Sequence, residues 1–240
     1  MTDKRVLIIT GTTDKYRDSF DPEHKYATME SVFDVTLPSK QRYVQRHGYN
    51  IMCLRSFSPN SAIPSDDTFN NLTRDLGFSR VIECFRMLNW YDVVFWVDAD
   101  SLITNPEISI HDIIGENNSP FILSHDWSTT KYASTGNFII QKTEYVAEFM
   151  ESFCNVAKGF QEEQCTINHM WKDPLGAKMV SVIDHKFLNS IPTREMYGSS
   201  WNGRFDIISN WTPDSFLIHL TGVDNTTRHN ILQNHFSDFL

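Results

Sequence analysis

The sequence has few cysteines, no long apolar run and no excess of basic residues. Its four cysteines lie far apart and form no C-x-x-C pair, which argues against a zinc site or a disulfide framework and favours free thiols in a reducing compartment. The longest uninterrupted apolar run covers only residues 93–97, and the N-terminal apolar run is too short for a signal peptide, so we expect no membrane span. A formal net charge of −9 argues against a nucleic-acid partner, because nucleic-acid binding requires a basic face.

The composition is otherwise that of an ordinary globular protein. Hydrophobic residues make up 40% and charged residues 21% of the 240 positions, which excludes an intrinsically disordered chain. Aromatic residues reach 13%, so the chain can bury a sizeable core. This length fits one domain better than two, and we therefore expect residues 1–240 to form a single domain.

Apolar runs that alternate with amphipathic segments predict an α/β fold. Residues 6–10 are typical of a buried parallel strand, and residues 24–47 predict a helix that Pro38 kinks or breaks and that Gly48 ends. Further strands are expected at residues 49–54, 92–97, 120–124, 137–141, 178–183 and 216–220. Further helices are expected at residues 79–90, 143–157 and 165–171, the first two with Ser79 and Thr143 as N-caps. This order predicts a Rossmann-like, mostly parallel central sheet with mixed edge strands, flanked by helices.

Two aspartates stand at the end of the strongest predicted strand. The segment D-V-V-F-W-V-D-A-D-S-L-I-T-N-P, residues 92–106, runs from an apolar strand into Asp98 and Asp100. Residues i and i+2 of extended backbone point to the same side, so both carboxylates can approach one point at the carboxyl end of the strand, where open α/β sheets bind ligands. Such a pair suits Mg²⁺ or Mn²⁺, which would bridge two phosphates of a nucleotide. The alternative is a solvated strand end that caps the following turn.

The segment around these aspartates resembles the D-x-D segment of GT-A-fold glycosyltransferases. It is most similar to that of the family of fungal α-galactosyltransferases and plant xyloglucan xylosyltransferases. Further similarities follow in the family's order over residues 80–222. They are the basic Arg80 before the central strand, S-T-G-N-F-I-I at residues 134–140, the acidic-Gln pair Glu163-Gln164, and F-L-I-H-L-T-G at residues 216–222. In the second of these Asn follows Gly, whereas in the family it precedes Gly.

This resemblance implies a GT-A-like, metal-dependent glycosyltransferase. It would move galactose, xylose or a similar sugar from a UDP-sugar to a hydroxyl of a saccharide acceptor. Residues 1–105 would form the nucleotide-binding half and residues 106–240 the acceptor- and sugar-binding half. The implied metal, Mn²⁺ or Mg²⁺, would be held by Asp98, Asp100 and His219, with Asp98 contacting the ribose or reaching the metal through water.

The resemblance also implies a donor site at several strand ends and turns. A glycine with hydroxyl neighbours after the first strand lets backbone N–H groups approach a nucleotide, although a plain turn between strand and helix explains it equally well. Arg80 has a planar fork that suits a diphosphate, or it is a solvated helix charge. Small residues at Gly136 and Asn137 would leave room for a sugar ring, and the amide of Asn137 would bind its hydroxyls. The expected donor-binding residues are Thr10, Gly11, Thr12, Tyr16, Arg80, Asp98, Asn137 and Gly222.

Three polar residues are expected beside the reacting sugar, namely Glu163, Gln164 and Asp126. The resembled family retains the anomeric configuration, and its reaction needs no strong enzymic base, so we favour retention. An inverting enzyme would instead need a carboxylate as general base, for which Glu162, Glu163 and Asp126 are available.

Two other functions stay open at this level. A metal-dependent nucleotidyltransferase or phosphatase also uses paired aspartates, but residues 10–13 lack the basic group that its phosphate loop needs. A non-catalytic sugar-binding module is the third interpretation. The aromatic residues Tyr197 and Trp201, with Asn202, suit acceptor binding or belong to a packed loop. Members of the resembled family are typically Golgi-anchored, so the missing anchor suggests a soluble cytoplasmic enzyme of bacterial or viral type, in the host cytoplasm if viral, or a domain cut from a longer chain.

Overall fold

The structure, a computed structural model, describes residues 4–12, 28–55, 76–160, 162–174, 176–198 and 208–240. The strands are β1 (Val6–Gly11), β2 (Asn50–Leu54), β3 (Val93–Asp98), β4 (Ser101–Ile103), β5 (Phe121–Asp126), β6 (Thr129–Gln141), β7 (Val180–Ile183) and β8 (Leu217–His219). The helices are α1 (Met29–His47), α2 (Leu76–Met87), α3 (Ile110–Ile114), α4 (Val146–Ala157), α5 (Glu163–Lys172), α6 (His185–Leu188), α7 (Arg194–Tyr197) and α8 (Asn225–His235). Among the helices of these ranges, none has the length and apolar character that crossing a membrane requires.

Six strands form the central sheet in the order β2-β1-β3-β6-β5-β7. The strands β1, β2 and β3 are parallel, β6 runs antiparallel to both β3 and β5, and β5 is parallel to β7. All strands of this sheet except β6 therefore run in one direction, which confirms the predicted mostly parallel sheet. The strands β4 and β8 form a separate antiparallel pair.

Side chains alternate along each strand, so the two faces of the sheet build two different cores. Leu7 and Ile9 of β1 pack on the face covered by α2, α4 and α5. Val6 and Ile8 pack on the opposite face, with side chains of α1 and α3. Because β1 and β3 are buried on both faces, both are continuous apolar runs in the sequence, as central strands of α/β sheets are.

The helix α1 continues through Pro38, so the predicted break does not occur. It ends as predicted at Gly48, which has a left-handed φ of 66°. Near the proline, tertiary contacts hold the helix, since the hydroxyl of Thr36 donates to the carbonyl of Ala99 (2.5 Å). Residues 24–27 of the predicted helix lie outside the described residues.

Several predicted boundaries differ in the structure, including the starts of two helices and one strand. The helix α2 begins before Ser79, which is buried within it and does not act as N-cap. The helix α4 begins at Val146, and the hydroxyl of Thr143 instead accepts from the backbone two residues on, a local bond that competes with helix formation. The strand β6 begins at Thr129, because its first part pairs with β5 in a hairpin while only its second part pairs with β3.

Candidate metal centre

Asp98 ends β3 and Asp100 lies in the turn between β3 and β4, at the carboxyl edge of the central sheet. His219 ends β8, where it lies opposite Ser101 in the antiparallel pair of β8 with β4. The N–H of Leu220 donates to the carbonyl of Asp100 (3.1 Å). The short β4–β8 pair therefore brings an imidazole from the end of the chain against the two carboxylates.

The three side chains converge on one point. One atom of each lies within 4.8 Å of the others, and Nε2 of His219 lies 3.8 Å from Oδ2 of Asp98 and 3.4 Å from Oδ1 of Asp100. A small octahedral cation binds oxygen at about 2.1 Å, so its ligands stand about 3 Å apart when adjacent and about 4 Å apart when opposite. The spacing and the donor set of two carboxylates and one imidazole therefore fit a divalent cation.

The remaining polar atom of each of these three side chains is bound to another part of the protein. The atoms are Oδ1 of Asp98, Oδ2 of Asp100 and Nδ1 of His219. Oδ1 of Asp98 accepts from Arg80 (2.6 Å) and from Trp96 (2.7 Å). Oδ2 of Asp100 pairs with Arg228 (3.0 Å), and Nδ1 of His219 lies 2.9 Å from Oδ1 of Asn189. Each side chain thus presents one atom to the shared point while its other atom is held from outside, as in metal centres with an ordered outer shell.

Gly136 of β6 forms one wall of the centre. A Cβ at this position would overlap Cε1 of His219 and would lie 3.0 Å from its Nε2 and 3.1 Å from Oδ2 of Asp98. The sequence predicts that small residues here leave room for a sugar ring. In the structure, the missing side chain makes room for the imidazole and the carboxylate, so glycine is required by the centre itself.

Neighbouring side chains keep Asp100 ionised. Burial alone would raise the pKa of this carboxyl, but His219, Arg228 and Lys40 outweigh burial and hold the pKa well below its ordinary value. The carboxylate is therefore available as a ligand at neutral pH, since metal ligation requires the deprotonated form.

Lys40 of α1 is a buried part of the centre that the sequence analysis missed. Its ammonium donates to the carbonyls of Asp98 (3.0 Å) and Ala99 (3.3 Å) and to the hydroxyl of Thr36 (3.1 Å). These bonds hold the backbone of the turn that carries both aspartates. No local pattern marks this residue, because a lysine on a helix is usually solvated.

Lys40 should make the stability of the protein depend on pH. Burial lowers the pKa of its ammonium to about 7, although Asp100 and Asp98 oppose the shift. Between about pH 7 and the ordinary lysine pKa, the unfolded chain binds more protons than the folded protein, so this group makes the free energy of unfolding rise with pH. In Lys40→Met we expect a smaller rise between about pH 7 and about pH 9 in urea unfolding. Parallel curves for this variant and for Lys178→Met, which removes an exposed lysine, would contradict this expectation.

Arg80 bridges Asp98 to the first turn of α5. One Nη donates to Asp98 and the other to Oε1 of Glu163 (2.6 Å), which also accepts from the hydroxyl of Thr135 (2.9 Å). Although burial opposes the charged form, Asp98 and Glu163 raise the pKa of Arg80. Oε2 of Glu163 lies against Gly77, where an added Cβ would overlap it. The sequence left open whether Arg80 contacts a diphosphate or is solvated, and in the structure both its Nη groups bind carboxylates.

We expect Arg80→Met to lower the free energy of unfolding by about 3 kcal/mol, because it leaves two largely buried carboxylates without their common partner. Chemical denaturation measures this loss. Arg86→Met is the matched control on the same helix, since its ion pair with Glu83 is long (3.8 Å) and partly exposed, and it should cost under about 1 kcal/mol. Equal stability of the two variants would show that the bridge contributes nothing.

The predicted base and ribose pocket lies at the end of β1. The hydroxyl of Thr10 is buried and has no hydrogen-bond partner among the described residues. A Cβ on Gly11 would lie 2.8 Å from Cβ of Leu54, and the N–H of Thr12 donates to the carbonyl of Leu54 (2.9 Å). The approach of β2 thus requires glycine here, whereas the sequence left open a ligand or a plain turn between strand and helix. Tyr16 lies outside the described residues.

Asn137 has a structural role that was not predicted from the sequence. Its Oδ1 accepts from the backbone N–H of Asp98 (3.0 Å), and its Nδ2 donates to the carbonyl of Leu188 (2.9 Å). The side chain is buried, with 1% of its surface exposed. Both ends of the amide therefore bind backbone, in contrast to the expected contact with sugar hydroxyls.

The other predicted catalytic residues lie in different parts of the structure. Gln164 lies at the centre's edge, where its Oε1 accepts from the hydroxyl of Thr135 (3.3 Å). Asp126 holds the β5–β6 turn, since its Oδ1 accepts from both the N–H and the hydroxyl of Ser128. Glu162 precedes α5 without capping it through its side chain.

Two further predictions concern the region after β7. Gly222 lies exposed in the turn after β8 with a left-handed φ of 78°. Tyr197 is buried in a cluster with Ile218 and Leu232, and burial raises the pKa of its hydroxyl, so it belongs to packed structure. Trp201 and Asn202 lie outside the described residues.

Comparison with known proteins gives structural similarity only. No protein-family model and no curated protein sequence matches the chain. A solved glycosyltransferase involved in glycosylating the major capsid of PBCV-1 is 16% identical, with a TM-score of 0.59 over 95% of this chain and 99% of that one. The galactosyltransferase LgtC, solved with donor and acceptor sugar analogues, is 13% identical, with a TM-score of 0.51 over 95% and 94%. Mouse xyloside xylosyltransferase 1 is 8% identical, with a TM-score of 0.50 over 91% and 97%.

These similarities show that the chain has the GT-A fold of these glycosyltransferases, which confirms the fold expected from the sequence. They do not assign the chain to the family of fungal α-galactosyltransferases and plant xyloglucan xylosyltransferases.

Proposed function

We propose that the protein is a metal-dependent glycosyltransferase that moves a sugar from a UDP-sugar to a hydroxyl of a saccharide acceptor. The observation that carries this proposal is the convergence of Asp98, Asp100 and His219 at the carboxyl edge of a GT-A-type sheet. This edge is where open α/β sheets bind nucleotides. The fold alone would not carry the proposal, because one fold serves many functions.

Asp98, Asp100 and His219 would hold Mn²⁺ or Mg²⁺ through one atom each. When bound, such a cation supplies positive charge that stabilises a departing diphosphate. The protein's own part is to keep the three ligand atoms fixed. Arg80 and Arg228 do so by binding the carboxylate oxygens that face away from the shared point.

We assign residues 1–105 to nucleotide binding and residues 106–240 to sugar and acceptor binding. The register of β1 with β3 supports the first assignment, since it places Gly11 beside Asp98. The buried hydroxyl of Thr10 is a polar group that a nucleotide could bind. UDP is the nucleotide that the sequence resemblance implies, and galactose or xylose the sugar.

Retention of the anomeric configuration is favoured by the hydrogen bonds that two of the three candidate carboxylates already accept. Oε1 of Glu163 already accepts from Arg80 and Thr135, and Asp126 is bound within a turn. These bonds make both carboxylates weaker bases toward an attacking hydroxyl than a carboxylate without hydrogen-bond donors would be. Glu162, whose side chain does not cap α5, is the general base of the inverting alternative. Gln164, at the edge of the centre, is the residue we place beside the reacting sugar.

A screen of nucleotides and nucleotide sugars tests the proposal. Because a ligand that binds the folded state raises its apparent stability, UDP with Mn²⁺ should raise Tm more than either alone. UDP-galactose, UDP-xylose and UDP-glucose with Mn²⁺ should then be compared for release of UDP, and NMR of the anomeric proton of the product would settle the stereochemistry. No stabilisation and no UDP release with any donor, with Mn²⁺ or Mg²⁺, would refute the proposal.

A further inference from the structure

Asn189, directly after α6, is the outer partner of His219. It is buried, with 1% of its surface exposed, and its Oδ1 lies 2.9 Å from Nδ1 of His219. The sequence analysis assigned it no role.

The hydrogen bonds of Asn189 define which way its amide points. Its Nδ2 lies 2.9 Å from the carbonyl oxygen of His125. A carbonyl oxygen can only accept, so the NH₂ group must face His125 and the amide oxygen must face His219. An amide oxygen also can only accept, so Nδ1 of His219 carries the proton that it donates to Asn189.

This proton on Nδ1 leaves the lone pair of the neutral imidazole on Nε2, the atom that faces Asp98 and Asp100. Without Asn189 the opposite tautomer would be favoured, because Nε2–H would lie beside two carboxylates that accept hydrogen bonds. A proton on Nε2 blocks metal ligation by that atom. We propose that Asn189 is a positioning residue that selects the metal-binding tautomer of His219 against the pull of the neighbouring carboxylates.

The backbone around Asn189 links both sides of the centre. Its neighbour Leu188 accepts from Nδ2 of Asn137, whose Oδ1 accepts from the N–H of Asp98. Of these two consecutive residues, Leu188 is linked to the backbone of Asp98 through Asn137, and Asn189 binds the ring of His219 directly. This arrangement fixes the imidazole relative to Asp98, which a free histidine rotamer would not do.

The inference rests on the proposed metal site, and two variants of the full chain test it. Asn189→Leu removes the acceptor for Nδ1–H, whereas Asn189→Asp keeps an acceptor there, loses the donor to the carbonyl of His125 and adds a negative charge. Gln141→Leu is the matched control, since it also removes a buried amide that donates to backbone carbonyls. Gln141 ends β6 opposite the first residue of β3, away from Asp98. Circular dichroism and Tm establish that each variant is folded.

Two measurements are made on each protein. The ¹⁵N chemical shifts of His219, recorded without metal at mildly alkaline pH, distinguish a protonated ring nitrogen from an unprotonated one. Titration with Mn²⁺ alone and in the presence of UDP gives Kd. We expect Nδ1–H in the wild type, Asn189→Asp and Gln141→Leu, and Nε2–H in Asn189→Leu. We expect Kd for Mn²⁺ to rise about 10- to 100-fold in Asn189→Leu and to change little in the other two variants.

The outcomes separate this inference from the proposed function. Nε2–H in the wild type, or an unchanged Kd in Asn189→Leu, would overturn the inference while leaving a metal site in place. An equal loss of affinity in Asn189→Asp and Asn189→Leu would assign Asn189 to structure alone and would also overturn it. Nδ1–H in a wild-type protein that binds no Mn²⁺, even with UDP, would refute the metal site and with it the role of Asn189.

Discussion

Asp100→Asn should lower the rate of sugar transfer about 1,000-fold while leaving the protein folded. Asparagine keeps the size and shape of the side chain, and the Nε–H of Arg228 still donates to the carbonyl of Leu220, although the ion pair of Arg228 with Oδ2 of Asp100 is lost. What the variant loses is the negative charge facing Nε2 of His219, and with it the charge attraction to a divalent cation. The measurement is UDP release at saturating donor, with Mn²⁺ varied.

The matched control is Asp238→Asn, which removes a carboxylate of the same kind from an exposed position near the end of the chain. Its rate and its dependence on Mn²⁺ should equal those of the wild type. If Asp100→Asn kept full activity with an unchanged Mn²⁺ dependence, Asp100 would not be a metal ligand.

Gly136→Ala should lower both the affinity for Mn²⁺ and the rate of transfer, the latter by about 100-fold. The added methyl would overlap the imidazole of His219 and crowd Oδ2 of Asp98, so at least one of the two must move. A displacement of about 1 Å at a catalytic group costs on the order of 100-fold in rate. The loss should appear in Kd for Mn²⁺ as well, because both crowded groups are proposed ligands.

Gly159→Ala serves as control for the same change of residue type. A Cβ there meets only a backbone oxygen at 3.5 Å, which is an ordinary contact. This variant should bind Mn²⁺ as the wild type does. A Gly136→Ala variant that also binds Mn²⁺ normally would mean that the close packing of Gly136 against His219 is unimportant for the metal.

The part of the centre that follows β3 could be predicted from the sequence because it is local. An uninterrupted apolar run marks a strand buried on both faces, and Asp98 and Asp100 stand at its end with the spacing that puts them on one side. His219 could be predicted only through the resemblance, since the strand that carries it has three residues and shows no period of its own.

Apart from Arg80, the groups that hold the ligands in place could not be predicted. Lys40, Asn189 and Arg228 come from α1, the end of α6 and α8, and each contacts the centre only through the tertiary fold. A lysine in a helix, or an asparagine in a connection, has the same local appearance whether it is solvated or buried. Pairing, burial and bond direction become visible only when the elements are packed together.

Gly11 and Gly136 show a different limit of the sequence analysis. In both cases glycine is required by contacts within the protein, with Leu54 and with His219 respectively. The sequence predicted room for a sugar at Gly136 and left a ligand or a plain turn open at Gly11. A glycine in such a pattern indicates that another group approaches the backbone closely. Only the packed structure shows whether that group is a ligand or another part of the protein. The strand β4 escaped prediction for a related reason, because its three residues resemble a turn until β8 pairs with them.

The central claim is that Asp98, Asp100 and His219 bind a divalent cation that serves the nucleotide sugar. Its most direct test is anomalous X-ray diffraction at the manganese edge from crystals grown with Mn²⁺ and UDP. We predict one strong manganese peak between Oδ2 of Asp98, Oδ1 of Asp100 and Nε2 of His219, in contact with the diphosphate. UDP bound elsewhere, or bound at this edge with no manganese between the three side chains, would contradict the claim.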